Sequence, residues 1–138
     1  AKGILLLDGD NRGLTDHELA DPNLKILRWE RYEIESYLIH PTSLLRFAEK
    51  REPLFSAAGD KYLRSELPPA VYNNPLKTNQ YLNSVKVSDT LLPQFFEACE
   101  ISITKNDYFQ IVSEMNPDEI PDEVEEKLNQ IAAYFDIL

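Results

Sequence analysis

The chain has 138 residues, enough for one domain with a real core, and its 43% hydrophobic content is ordinary for a globular protein and excludes a disordered chain. A formal charge of −10 excludes a self-sufficient nucleic-acid binder, which carries a basic stripe to neutralise phosphates; such binding would need metal ions or a separate basic domain. The lone cysteine, Cys99, excludes an internal disulfide or a cysteine-rich zinc site, and no apolar run approaches the ~18 residues of a membrane span, so a cytoplasmic protein without membrane contact is expected.

Ile4 to Leu7 form a continuous aliphatic run that stops at turn-forming residues, which predicts a strand buried on both faces, as in parallel α/β sheets. Residues 11–23 are polar and contain Gly13, Asp21 and Pro22, predicting a loop with one helical turn. LKILRW, residues 24–29, predicts a second strand, although its alternation is only partly clean. RYEIESYLIHPTSLLRFAEK then turns helical, with Pro41 in a first helical turn and Leu44, Leu45 and Ala48 on one apolar face. Residues 51–85 hold Pro53, Gly59, Pro68, Pro69 and Pro75, which predicts short helices joined by long loops and the most mobile part of the chain.

From Ser88 the pattern is helical again. Ser88 is placed to cap a helix containing LLPQFFEAC, and Thr104 with Asp107 makes a capping-box-like start for KNDYFQIVSEM, whose Tyr108, Ile111, Val112 and Met115 share a face. A last helix starts near Pro121 with Asp122 and Glu123 in its first turn, and Val124, Leu128, Ile131 and Phe135 form its expected buried stripe. Cys99 reads as buried, and Trp29, Phe95, Phe96, Tyr108, Phe109 and Phe135 as core or interface and not as base-stacking platforms.

Asp8 and Asp10 close the first strand, with Gly9 between them. Two carboxylates at the carboxyl end of a buried strand can converge on a divalent cation, and hard oxygen ligands suit magnesium or manganese. The alternative is that they form Asx turns and cap a helix after the strand. A calcium loop fits Asp8, Asp10, Gly13 and Asp16 but puts Arg12 at its fifth position and Leu19 where a bidentate glutamate is needed. A haloacid-dehalogenase-like phosphatase expects threonine or valine where Arg12 stands. Glu33 and Glu35 follow the second strand directly, so a glutamate there can reach the same cation, or simply favour a helix start. His40 reads as a helix-start residue, and His17 lacks a second histidine at metal-site spacing.

LLLDGDN, a second strand, RYEIESYLIHP, then LLPQFFEACEISITKNDYFQIVSEM and IPDEVEEKLNQIA together resemble the C-terminal Toprim region of ATP-dependent endonucleases of the OLD (overcoming lysogenization defect) type. The resemblance spans most of the chain except its Pro-rich middle. It implies an α/β fold, a partial Toprim (Rossmann-like) parallel sheet with a predominantly helical C-terminal part. Residues 1–50 would carry the partial Toprim core, 51–87 the Pro-rich loops and short helices, and 88–138 the C-terminal helices of the same domain.

In that family Asp-x-Asp and further acids bind one or two metal ions for phosphodiester cleavage. The resemblance therefore assigns Asp8, Asp10 and Glu35 to Mg2+ or Mn2+, with Ser36 in place of the family's asparagine after the glutamate. It matches Lys105, with Lys86 as a weaker rival, to a lysine that stabilises developing charge, so Glu35 and Lys105 are the implied catalytic residues. Nothing before Ala1 and Lys2 supplies the first Toprim glutamate and no Walker-type loop occurs, so the chain reads as a C-terminal fragment, weak or inactive alone. ATP would be bound only by an N-terminal ATPase domain outside this sequence, DNA would be met by the full-length protein, and a homodimer through the apolar helices is a further partner to consider. A different class of function is a non-catalytic Toprim-like interaction or regulatory domain of an ABC-like ATPase.

Overall fold

A computed structural model describes residues 2–11 and 23–135. Gly3–Leu7 (β1) and Leu24–Arg28 (β2) pair in parallel, with Gly3 opposite Leu24 and Leu7 opposite Arg28. The ladder runs one residue further, because the Trp29 amide donates to the Leu7 carbonyl at 3.0 Å. Both strands are where the aliphatic runs predict them. The predicted loop between them, with Arg12, Gly13, Asp16, His17, Leu19, Asp21 and Pro22, lies outside the described residues.

The expectation that the first strand is buried on both faces is corrected. No residue of β1 is fully buried, and Leu5 is 43% exposed. The sheet has two strands among the described residues, and the main hydrophobic core contains no strand residue at all. An aliphatic run marks a strand suited to burial, but burial requires layers on both faces, and that is a tertiary property.

The core belongs to the helices Pro41–Arg51 (α1), Ser56–Glu66 (α2), Pro69–Asn73 (α3), Gln80–Ser84 (α4), Leu91–Ala98 (α5) and Phe109–Glu114 (α6). Leu44 and Phe47 from α1, Leu63 from α2, Val71 from α3, Leu82 from α4, Phe95 and Phe96 from α5 and Ile111 from α6 are essentially inaccessible. That single cluster draws on residues 1–50, 51–87 and 88–138 alike. The molecule is thus a mixed α/β structure, mainly helical, with a small parallel sheet at the edge of a helical core.

Pro41 opens α1 as expected, and His40 is its N-cap, with Nδ1 accepting the Ser43 amide at 3.2 Å. The middle of the chain holds the expected short helices in α3 and α4, five residues each, but departs from the expectation at α2. α2 is as long as α1, at 11 residues, and the links on either side of it are short. Gly59, expected to be a breaker, is a contact point: a Cβ there would lie 2.3 Å from the Cys99 sulfur and 2.9 Å from the Phe95 ring, so its absence lets α2 and α5 close together. Cys99 is buried as expected, and burial pushes its thiol up to about 11.

The expected Ser88 cap is also corrected. Thr90, not Ser88, precedes α5, and Ser88 is buried with its amide and hydroxyl both donating to the Glu33 carboxylate. α5 ends in a Schellman turn, with Ile101 N–H on the Phe96 carbonyl and Glu100 N–H on the Glu97 carbonyl; Glu100 takes the left-handed position at φ 56° where glycine is usual. The Thr104–Asp107 capping box forms as predicted and starts a 3-10 turn, Lys105–Asp107, ahead of α6. On the predicted face Tyr108 and Ile111 are buried, whereas Val112 is 50% exposed; Phe109, expected in the core or an interface, is 67% exposed.

Asp122–Tyr134 (α7) begins where the sequence places it, but its stripe is not buried: Leu128 is 58% and Phe135 42% exposed, and no α7 residue is fully buried. Polar contacts hold its two ends instead. Glu123, in its first turn, accepts the Glu30 amide at 2.8 Å and the Tyr37 hydroxyl. In its last turn the Tyr134 hydroxyl donates to the Asn23 carbonyl at 3.4 Å, and its ring lies under the Lys2 and Lys25 ammonium groups. The helix therefore runs antiparallel to β2 along the sheet. No described helix is long and apolar enough to cross a membrane.

Candidate functional site

The parallel pairing brings the carboxyl ends of β1 and β2 to one edge, and the two segments beyond them are fastened together there. Gly9 passes so close to the segment after β2 that a Cβ would sit 2.1 Å from the Arg31 carbonyl oxygen and 2.6 Å from that of Trp29. The next residue, Asp10, donates its amide to the Tyr32 carbonyl at 2.9 Å. Asp10 and Asn11 then turn the chain through left-handed backbone, φ 50° and 57°, which aspartate and asparagine tolerate better than most residues. Arg28 closes the other side of the turn, donating from Nη1 to the Asp8 carbonyl oxygen at 2.6 Å. The central glycine of Asp-Gly-Asp is thus required by a backbone approach, and the flanking carboxylates project exposed from a turn anchored on both sides.

The segment after β2 is held as firmly. Buried Arg31 donates to the Ser36 carbonyl at 2.9 Å and the Pro75 carbonyl at 2.6 Å, and the Tyr32 amide donates to the Leu82 carbonyl at 3.0 Å. Glu33 begins the 3-10 turn Ile34–Leu38 in a capping box with Ser36, and its buried carboxylate accepts the Ser88 amide at 2.7 Å and hydroxyl at 3.0 Å. Glu33 is therefore a structural clasp that ties this turn to the Val87–Asp89 segment.

Glu35 lies in the first turn of the same 3-10 helix and is half-buried. Burial raises its carboxyl above the usual range, and the negative charges of Glu33 and Asp8 add to that rise. Its own backbone hydrogen bond and the ammonium of Lys105 oppose it. Asp8 and Lys105, 97 positions apart in the chain, thus each act on the Glu35 carboxyl. Asp10 lies in the same turn as Asp8, and its contribution to the geometry is the amide bond to Tyr32.

Lys105 Nζ pairs with Asp89 Oδ1 at 3.0 Å, and Lys86 Nζ with Asp89 Oδ2 at 3.4 Å. The hydrogen bond from Lys105, then that from Lys86, holds the Asp89 carboxyl below the usual range, although burial works against this, and the same bond raises the Lys105 ammonium.

Among the described residues no three histidine, cysteine, aspartate or glutamate side chains converge closely enough to hold a metal ion. The donor chemistry nonetheless fits Mg2+ or Mn2+. Asp8 and Glu35 offer hard oxygens whose mutual repulsion a cation relieves, and Mg2+ keeps most of its waters and commonly uses only one or two protein carboxylates.

Of the predicted site residues, Asp8 and Lys105 each act electrostatically on Glu35, Asp10 stands beside Asp8, and His40 is the helix-start residue the sequence predicts. Sequence patterns missed Glu33–Ser88 and the Asp89 bridge. Ser88 is 55 positions from Glu33, and no local spacing signals such a contact. Comparison of the chain with protein-family models, curated proteins and solved structures found no match.

Proposed function

We propose that this chain carries the carboxylate edge of a Toprim-like, metal-dependent nuclease of the OLD type, acting on phosphodiester bonds of DNA within a larger protein that includes an ABC-like ATPase. The observation that supports the reading is the Asp8–Gly9–Asp10 turn at the carboxyl end of a parallel strand pair, fastened by the Asp10 amide to Tyr32 in the segment that leads into Glu35, whose carboxyl feels both Asp8 and Lys105. Asp8, Asp10 and Glu35 would hold Mg2+ or Mn2+, which supplies charge neutralisation and a nucleophile at neutral pH when bound. Lys105 would orient a phosphate oxygen and offset its developing charge. Arg28 and the Gly9–Arg31 contact fix the backbone of the Asp8 turn, and the Glu33–Ser88 clasp fixes the turn that carries Glu35, so the backbone beneath these carboxylates is held.

The test is Mn2+ binding by calorimetry to the chain and to its Asp8→Asn and Glu35→Gln variants. Binding by the unmodified chain that either variant weakens at least tenfold supports the assignment; equal binding by all three refutes it. A second reading, a non-catalytic interaction or regulatory domain of such an ATPase, is favoured by the exposed Leu128 and Phe135 on the apolar stripe of the last helix. It predicts no site-specific Mn2+ binding.

A further inference from the structure

Two lysines share one carboxylate at the site's edge. Lys86 and Lys105 approach different oxygens of Asp89, so their ammonium groups converge on a single two-oxygen anion. A phosphodiester presents two non-bridging oxygens at nearly the separation of a carboxylate's two, with a full negative charge shared between them. The three side chains are each about half exposed, so a phosphate can reach the ammonium groups and the existing ion pairs are weak enough to be exchanged. The supporting backbone is fixed: buried Ser88 ties the Lys86–Asp89 turn to Glu33, the Asp89 amide donates to the Lys86 carbonyl at 3.2 Å, and the Thr104–Asp107 box holds the turn that carries Lys105. Ser88, next to Asp89, holds the Glu33 carboxylate, so the pair of lysines stands beside the turn that carries Glu35 and not on a remote surface.

We propose that Asp89 is a built-in stand-in for a nucleic-acid phosphate, holding Lys86 and Lys105 together as a two-ammonium clamp that a backbone phosphate takes over when Asp89 is displaced. This deepens the nuclease reading and rests on it for the identity of the anion. Asp89 is then a positioning residue with a cost, since it orders the lysines while competing with substrate. The chain's overall charge of −10 repels a polyanion, so a local pair of cations released from Asp89 supplies an entry point that composition alone conceals.

The experiment measures binding of a fluorescein-labelled single-stranded DNA oligonucleotide by polarisation at low salt, for the unmodified chain, Asp89→Asn, Lys86→Met/Lys105→Met and the triple variant. Asp89→Asn should bind about five-fold more tightly, the gain should vanish in the triple variant, and the slope of log K against log salt should be steeper by about 0.7 in Asp89→Asn than in the triple variant, the value for one phosphate neutralised on a single strand. No gain in Asp89→Asn, or a gain that survives removal of both lysines, overturns the proposal. Mn2+ binding to Asp89→Asn, measured in parallel, separates the two ideas. Intact Mn2+ binding without a DNA gain defeats the clamp alone, and a lysine-dependent DNA gain without Mn2+ binding upholds the clamp while the metal assignment fails.

Discussion

Replacing Gly9 by alanine tests whether the two strand ends are fastened as described. Gly9 has an ordinary negative φ, so alanine meets no conformational penalty, and the whole effect comes from the added methyl. That methyl would sit 2.1 Å from the Arg31 carbonyl oxygen, 2.6 Å from that of Trp29 and 2.9 Å from the Arg31 carbonyl carbon, all backbone atoms that cannot swing aside. One segment must retreat by about 1 Å, an overpacking strain of ~1–3 kcal/mol. The retreat also strips the Asp10 N–H to Tyr32 bond, worth ~1 kcal/mol more. A loss of about 3 kcal/mol corresponds to a fall in Tm of about 10 °C for a chain of this size. Gly3→Ala is the control: its Cβ would meet only the Leu24 Cδ1 at 3.5 Å, an ordinary contact, and Tm should stay near that of the unmodified chain. Thermal unfolding of both variants, followed by circular dichroism, provides the readout. A Gly9→Ala protein that melts within about 2 °C of the unmodified chain would falsify the close approach, and with it the argument that Gly9 is present for packing.

Gly59→Ala should cost ~1–3 kcal/mol by driving a methyl into Cys99 and Phe95, and Cys99→Ala in the same chain should restore part of that loss, so the double variant in urea unfolding is more stable than the sum of the single effects; strict additivity would contradict the contact. Acid should weaken the fold through His40. Burial lowers its pKa below 6.5, outweighing the opposing pull of Glu119, and its Nδ1 must stay unprotonated to accept the Ser43 amide. Below pH 6.5 the unfolded chain takes up a proton that the folded chain refuses, so stability present above pH 6.5 is lost as pH falls towards the folded pKa. Glu35 acts with the opposite sign just above pH 4.5, because its raised pKa makes the folded chain the stronger proton binder there. The difference between the unmodified chain and His40→Asn, which keeps a capping side chain, isolates the histidine: the variant should lose less stability between about pH 6.5 and 5, and identical pH profiles would remove His40 from the account.

Much of the local structure was legible in the sequence because it is set by local rules. The aliphatic runs before Asp8 and after Asn23 are strands, Pro41 opens a helix that His40 caps, Thr104 and Asp107 form their box, and Pro121 precedes the last helix. The strand-end geometry was legible in part, since parallel strands bring their carboxyl ends to one edge, and that rule alone is enough to set the Asp8–Asp10 turn beside the segment that follows Arg28.

Burial depends on partners distant in sequence, and there the pattern misled. A continuous aliphatic run is compatible with two covered faces, yet β1 sits at the rim of a helical core and leaves Leu5 exposed; α7 has an amphipathic period, yet it is held at its ends by Glu123 and Tyr134 with Leu128 in the open. Gly59 and Ser88 have no local signature separating a breaker from a packing contact or a cap from a clasp, because each is defined by the group it meets across the fold. Residue order alone was sufficient to locate the strands and most of the helices and to show that Asp8 and Asp10 close a strand, since those properties depend on residues a few positions apart. It took the folded arrangement to establish that the core is helical, that Gly9 locks two loops together and that Lys105 joins Lys86 on Asp89, since each is a contact between side chains or backbones that chain connectivity leaves far apart.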